Sequence, residues 1–317
     1  MDIYPLVMTP AFRHGPETPW GGHALKELFG KNAPDDVTGE SLEVSALPGR
    51  ESRIANGACA GKTLREMLVL WGKRLTGRTE KSFPLLLKFL DARQYLSVQV
   101  HPDDSYALSH EGKSGKSEAW YILDAPPGAQ LVCGIDTHGT PLRSVLEAGR
   151  LEDSLCRVSV RPGDVFYIPA GTVHALGPGI RCYEIQQASD VTYRLWDWGR
   201  TGKDGRPRPL HIEQALSVSR SGAVPGQAGG EEEEHAGGRS ILLVSDPHFR
   251  LYAYDLRGRL SLPAGRMQFL TATARGCVLF WKNRQETLLP WQSAVLPAAL
   301  TEIAVEGCGR VLVASVV

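Results

Sequence analysis

Punctuation is the feature that most limits how this chain can fold. Between Tyr95 and Gln186 short apolar runs recur at roughly ten-residue spacing, over residues 95–100, 119–123, 130–134, 157–160, 165–168 and 180–186, with glycine or proline between them. The runs are rich in β-branched and aromatic residues, which pack well on a pleated surface. Short strands so spaced predict an all-β sandwich or barrel. The tail resumes the pattern at 249–256, 267–273, 276–281, 293–296, 302–305 and 310–317. Few helices interrupt it. The clearest spans 63–75, where Thr63 and Glu66 form a capping box and Leu64, Met67, Leu68 and Trp71 share a face. Residues 142–151 and 211–218 predict shorter helices, and Pro102 before Asp103 and Asp104 fits a helix start with proline at its first position.

Residues 219–238 break the strand pattern with six glycines and the run Glu231–Glu234 beside His235. That composition predicts a solvated linker rather than a metal site. The chain of 317 residues therefore divides into a unit over 1–220, a linker over 221–239 and a smaller β unit over 240–317. Lysine plus arginine equals aspartate plus glutamate at 35 each. A net charge of zero argues against a nucleic-acid partner and leaves room for a local basic pocket. The six cysteines are scattered without a C-x-x-C pair, which favours free thiols in a reducing compartment. No secretory signal pattern and no apolar run long enough for a membrane span is visible, so a cytoplasmic protein without a membrane partner is expected.

Candidate chemistry gathers around Gly163–His174, G-D-V-F-Y-I-P-A-G-T-V-H. Two turns bound a short strand and hold one histidine just beyond it. Upstream, Leu96, Val98 and Val100 alternate with Ser97, Gln99 and His101, so Gln99 and His101 leave the same face of one strand. Glu118 precedes the next strand. If these strands line one interior, two imidazoles, a carboxylate and an amide oxygen converge. Such a set suits a catalytic zinc ion, and iron, manganese and cobalt accept the same donors. The segment 294–302 echoes Gly163–His174, with Glu302 standing where the histidine would fall. The tail then reads as a partner lacking the ligand.

The stretch G-x5-P-x-G-x2-H resembles the second motif of the cupin superfamily, although Pro178 replaces that motif's later asparagine. Gln99-Val100-His101-Pro102-Asp103, together with 115–121 and 187–194, is similar to type I phosphomannose isomerases of the short bacterial kind. Trp20-Gly21-Gly22 and 39–45 resemble that family's N-terminal motifs, with Leu42 where a tryptophan is more usual. The resemblance implies a mainly β protein of two cupin-like barrels, or jelly rolls, with the metal site in the first. It implies one zinc ion per chain on Gln99, His101, Glu118 and His174, and a small sugar phosphate as substrate. Ser97, Lys116, Asp190 and Arg194 would surround that substrate.

Aldose–ketose interconversion moves a proton between adjacent carbons through a cis-enediol, whose negative charge needs preorganised cations. Arg194 can hold phosphate or stabilise that charge, and Lys116 can do either or move a proton. Asp190 could orient Arg194 or join ring opening. Lys116, Asp190 and Glu184 are all candidates for the base, while Arg200 and Lys203 could attract phosphate. Two other readings stay open: a metal-dependent cupin dioxygenase, since His101, Glu118 and His174 also make an iron triad, and a non-catalytic sugar-phosphate sensor. Monomer and homodimer are both compatible with the sequence.

Overall fold

The computed structural model describes residues 2–79, 82–201, 205–222 and 230–317. Most runs read as strands are strands, although only Val98–Val100 of the run 95–100 is one and the runs 302–305 and 310–317 fall in the single strand Ala304–Val316; the strands pair antiparallel in three sheets. A six-stranded sheet runs in the order Val165–Ile168, Glu118–Asp124, Ile180–Gln187, Leu85–Ala92, Thr38–Val44 and Ala11–His14. A five-stranded sheet runs Tyr193–Trp196, Val98–Val100, His174–Ala175, Gln130–Ile135 and Leu155–Ser159. Between these two lies a core that draws Leu90, Trp120, Ile122, Phe166 and Cys182 from the first sheet and Leu131 and Cys133 from the second. The expected mainly β fold is present, but the expected closed barrels are not. Among the described residues each of these sheets ends in two edge strands whose ladders do not join. Residue alternation fixes which face is buried but does not fix closure, which depends on pairing between strands far apart in the chain.

The third sheet has ten strands and carries the tail. It also takes in Leu6–Thr9, which pairs with Ser293–Leu296 through Leu6↔Val295, and Arg53–Ile54. The expected linker runs into this sheet: Glu231–His235 is a strand, paired with Gly238–Ser245. The glutamate run forms a charged, exposed edge, with Glu232 bonded to Arg239 at 2.9 Å and Glu234 to Arg257 at 2.5 Å. Charged edges of this kind discourage pairing with other chains. The rest of the expected linker, 223–229, lies outside the described residues. Leu64, Trp71, Leu87 and Phe89 share one core with Phe249, Phe269 and Leu312, so the sheets of both units pack on common apolar ground.

The helix after Thr63 has the expected capping box, with Thr63 Oγ1 accepting from Glu66 N–H at 3.1 Å and Glu66 accepting from Thr63 N–H at 2.7 Å. It stops at Trp71 and resumes over Lys73–Thr76, because Gly72 takes φ 47° and breaks the ladder. The next helix, Asp104–Glu111, is capped by Asp103, which accepts from Tyr106 N–H at 2.9 Å. Pro102 therefore precedes the cap instead of opening the helix. At the N-terminus Gly21 and Gly39 let two backbones touch. A Cβ on Gly21 would lie 2.5 Å from Gly39 N, and one on Gly39 would lie 2.6 Å from the Trp20 ring. No helix among the described residues is long and apolar enough to cross a membrane.

Candidate active site

The two facing sheets bring together the ligand-type residues read from the sequence. In the five-stranded sheet His174 stands directly across from Gln99, and Arg194 stands across from Gln99 on its other side. In the six-stranded sheet Glu118 lies between Ile168 and Gln186. Ligand atoms of His101, Glu118 and His174 all fall within 4.8 Å of one another, and all three residues are buried. His101 Nδ1 donates to the Val191 carbonyl at 2.9 Å and His174 Nδ1 to the Thr172 carbonyl at 2.9 Å. That fixes both tautomers and turns both Nε2 lone pairs toward Glu118. The distances to the Glu118 carboxylate are 3.5 Å from His101 Nε2 and 3.3 Å from His174 Nε2. Burial pushes both imidazoles below the usual histidine range, His101 furthest because Lys116 and His174 stand beside it. Both are therefore neutral and able to coordinate.

Glu118 shows that the cluster fits a cation. Lys116 Nζ lies 2.9 Å from its Oε2, yet neither carboxylate oxygen has an aligned hydrogen bond and the side chain is fully buried. A carboxylate in that state is costly unless a charge completes its surroundings. Lys116 Nζ also approaches His101 Nε2 at 3.0 Å. Gln99 presents its Nε2 to His174 Nε2 at 3.3 Å, while its Oε1 accepts from Ser97 Oγ at 3.3 Å. A half-turn of the carboxamide exchanges its oxygen and nitrogen.

Beside this cage lies a cleft of about 260 Å³ lined by Ser97, Gln99, Lys116, Asp190 and Arg194, as expected, and also by Arg13, Glu40, Lys88, Glu184 and Arg208. Lys88 forms a buried row of alternating charge, 3.1 Å from Glu184 and 3.3 Å from Glu40, and Arg13 adds 3.7 Å to Glu40. Register makes the first contact, because Glu184 and Lys88 pair across neighbouring strands. Burial alone would raise the Glu184 carboxyl, but Lys88 and Lys116 hold it down to about 2. Trp120 Nε1 donates to it at 2.9 Å. Against burial, Glu184 and Glu40 keep Lys88 charged above its ordinary value.

Sequence reasoning passed over Lys88. Its signal was a lone cation within Leu85-Leu86-Leu87-Lys88-Phe89-Leu90, since a charge in a buried strand needs a partner. Asp190 does not orient Arg194. It pairs at 2.7 Å with Lys113 at the rim, where its side chain is half exposed. Arg194 Nη1 donates instead to the Pro209 carbonyl at 2.7 Å. Arg200 is committed to Asp197 at 2.5 Å and to the Tyr95 carbonyl at 2.6 Å, and Lys203 lies outside the described residues. Glu302, at the echo of His174, is exposed.

Residues 14–120 match the family model for the type I phosphomannose isomerase catalytic domain. The mannose-6-phosphate isomerase of Streptococcus mutans serotype c is 40% identical over 259 residues, covering 81% of each chain. This chain belongs to the phosphomannose isomerase family. A Bacillus subtilis mannose-6-phosphate isomerase is 37% identical over 324 residues and 99% of each chain. The crystal structure of the mannose 6-phosphate isomerase from Bacillus subtilis superposes with a TM-score of 0.91 at 33% identity, over 98% of this chain and 99% of that one. In this phosphomannose isomerase the likeness spans both the sheets that carry the cage and the tail sheet.

Proposed function

We propose that this aldose–ketose isomerase interconverts mannose 6-phosphate and fructose 6-phosphate in the cleft beside the His101–Glu118–His174 cage, through a cis-enediol. The observation that supports the reading best is the cage itself: two neutral imidazoles and a buried carboxylate without aligned hydrogen bonds, opening on a cleft that holds several cations. His101, Glu118 and His174, with Gln99, would hold one zinc ion per chain. Such an ion supplies Lewis-acid polarisation of a hydroxyl or carbonyl oxygen.

The remaining roles belong to the chain's own side chains. Lys116 lies between the cage and the cleft, where its ammonium can offset enediolate charge or carry a proton. Glu184 lines the same cleft, and Lys88 and Lys116 hold its carboxyl low despite burial, which makes it a weak base. We assign proton movement to this Lys116–Glu184 end and phosphate binding to the Arg194 end, with Ser97 as a hydroxyl donor. Asp190, held on Lys113, takes part at the mouth.

A coupled assay following fructose 6-phosphate formed from mannose 6-phosphate tests the reading, with the protein chelated and then resupplied with zinc. Turnover should vanish on chelation and return with the metal. A fully metal-loaded protein that converts no mannose 6-phosphate would sink the proposal.

A further inference from the structure

Asp197 organises a group of arginines, two of which, Arg194 and Arg208, line the cleft. Its side chain is only 5% exposed. Arg208 grips it with a fork, Nε to Oδ2 at 2.7 Å and Nη2 to Oδ1 at 2.6 Å. Arg200 donates to the same Oδ1 and spends its other end on the Tyr95 carbonyl. Arg194 reaches neither carboxylate oxygen by an ion pair. Its Nη1 is held by the Pro209 carbonyl, next in the chain to Arg208, and its Nε is buried without a hydrogen-bond partner. Two hydrogen bonds keep the segments together, Arg194 N–H donating to the His211 ring Nδ1 at 3.2 Å and His211 N–H to the Arg194 carbonyl at 2.8 Å.

Charge counting then decides what the group lacks. Three guanidiniums meet one carboxylate, which leaves two positive charges. Arg194 and Arg208 both line the cleft, alongside the side chains of Ser97 and Thr192. Two like charges side by side in a partly buried place are costly without an anion. A phosphomonoester dianion carries two negative charges and several acceptor oxygens, and guanidinium forks match that geometry.

We propose that Arg194 and Arg208 together clamp the phosphate of the substrate as its dianion, and that Asp197 is a positioning residue that fixes the Arg208 fork through its own carboxylate. This rests on the isomerase reading and adds a phosphate-binding residue, Arg208, that lies outside the matched segment 14–120. Arg200 does not line the cleft and is engaged by Asp197 and the Tyr95 carbonyl, so it serves as scaffold for Asp197; Arg208 lines the cleft and, with Nε and Nη2 on Asp197, keeps Nη1 for phosphate.

The test uses the metal-loaded full chain, with inorganic phosphate as a competitive inhibitor. In Arg208→Gln, KM for mannose 6-phosphate should rise about tenfold or more and phosphate inhibition should weaken by a similar factor, with kcat nearly unchanged. Metal content should not move. The parent enzyme should lose affinity as pH falls through the second phosphate ionisation, at about 6, and the variant should show a flatter profile. Unchanged KM and unchanged phosphate inhibition would overturn the clamp, as would a fall in kcat with KM intact. If Arg208→Gln fails to fold by circular dichroism, Arg208→Lys decides: it keeps a charge on Asp197 but loses the fork, so KM should rise several-fold, and no rise overturns the proposal. If the parent turns over no mannose 6-phosphate at all, calorimetric titration of inorganic phosphate still tests the clamp. Binding lost in the variant supports it, and equal binding refutes it.

Discussion

At the centre of the site Glu118 stands between two imidazoles and one ammonium, with neither carboxylate oxygen reached by solvent or by an aligned hydrogen bond. A lone pair from His174 is part of what completes that place. His174→Ala should therefore lose bound metal and turnover together, read by elemental analysis beside the coupled assay. Arg194 makes no contact with the cage carboxylate; its polar contacts are the Pro209 carbonyl and His211. Arg194→Ala should keep its metal while KM for mannose 6-phosphate rises about tenfold or more, as expected of a phosphate-binding residue; metal loss in that variant would contradict the division of roles. Gln99, His101 and His174 were legible as candidates from local pattern, a period of two for the first pair and a turn-bounded strand before the last, while their grouping with Glu118 as one ligand set drew on the family resemblance. Lys88, Glu40 and Arg208 were not, because their meaning comes from partners that only strand register supplies, as with Glu184 opposite Lys88. For Asp190 the same reason separates two readings: it lines the cleft, but it does not orient Arg194. Four residues of separation from Arg194 put it close in the chain, while Lys113 captures it in space.

Secondary-structure elements were read well where their signals are local. The Thr63–Glu66 box is exposed and reciprocal, so Thr63→Ala should cost about 1 kcal/mol in urea unfolding and leave kcat and KM untouched. A larger loss would mean that Thr63 does more than cap. Contacts between elements carry a second prediction. Arg310 on the tail sheet donates to Asp255 at 2.7 and 2.8 Å and to the Tyr121 hydroxyl at 3.0 Å, which ties the tail to the strand that begins at Glu118. Hydrogen bonds from Arg310, then from Arg239, hold the Asp255 carboxyl below its usual range despite partial burial. A carboxyl depressed in the folded state stabilises the protein fully above its unfolded value of about 4. That contribution is lost as pH falls through the lower folded value. Asp255→Asn should accordingly shrink the difference in unfolding free energy between pH 7 and pH 3. An unchanged difference would remove this clamp from the account.

On the scale of the whole molecule, the strand Leu6–Thr9 closes a loop through nearly the full length of the chain by pairing with Ser293–Leu296. Lys31 adds a buried pin, reaching Glu43 at 2.8 Å and the Trp291 carbonyl at 2.6 Å. No local pattern announces such contacts, which is why the sequence divides into two units near 220–240 more sharply than the sheets do. With a common core across that division, thermal unfolding followed by far-ultraviolet circular dichroism and by tryptophan fluorescence should give one coincident transition. Two separated transitions would support independent units.

We propose that one buried cage per chain holds the metal on which isomerisation depends. This is tested most directly by adding zinc back to the chelated protein in measured steps while following conversion of mannose 6-phosphate. Activity should rise linearly and break at one equivalent per chain. Turnover that survives chelation, or a break at any other stoichiometry, would contradict the assignment of His101, Glu118 and His174 as the metal centre.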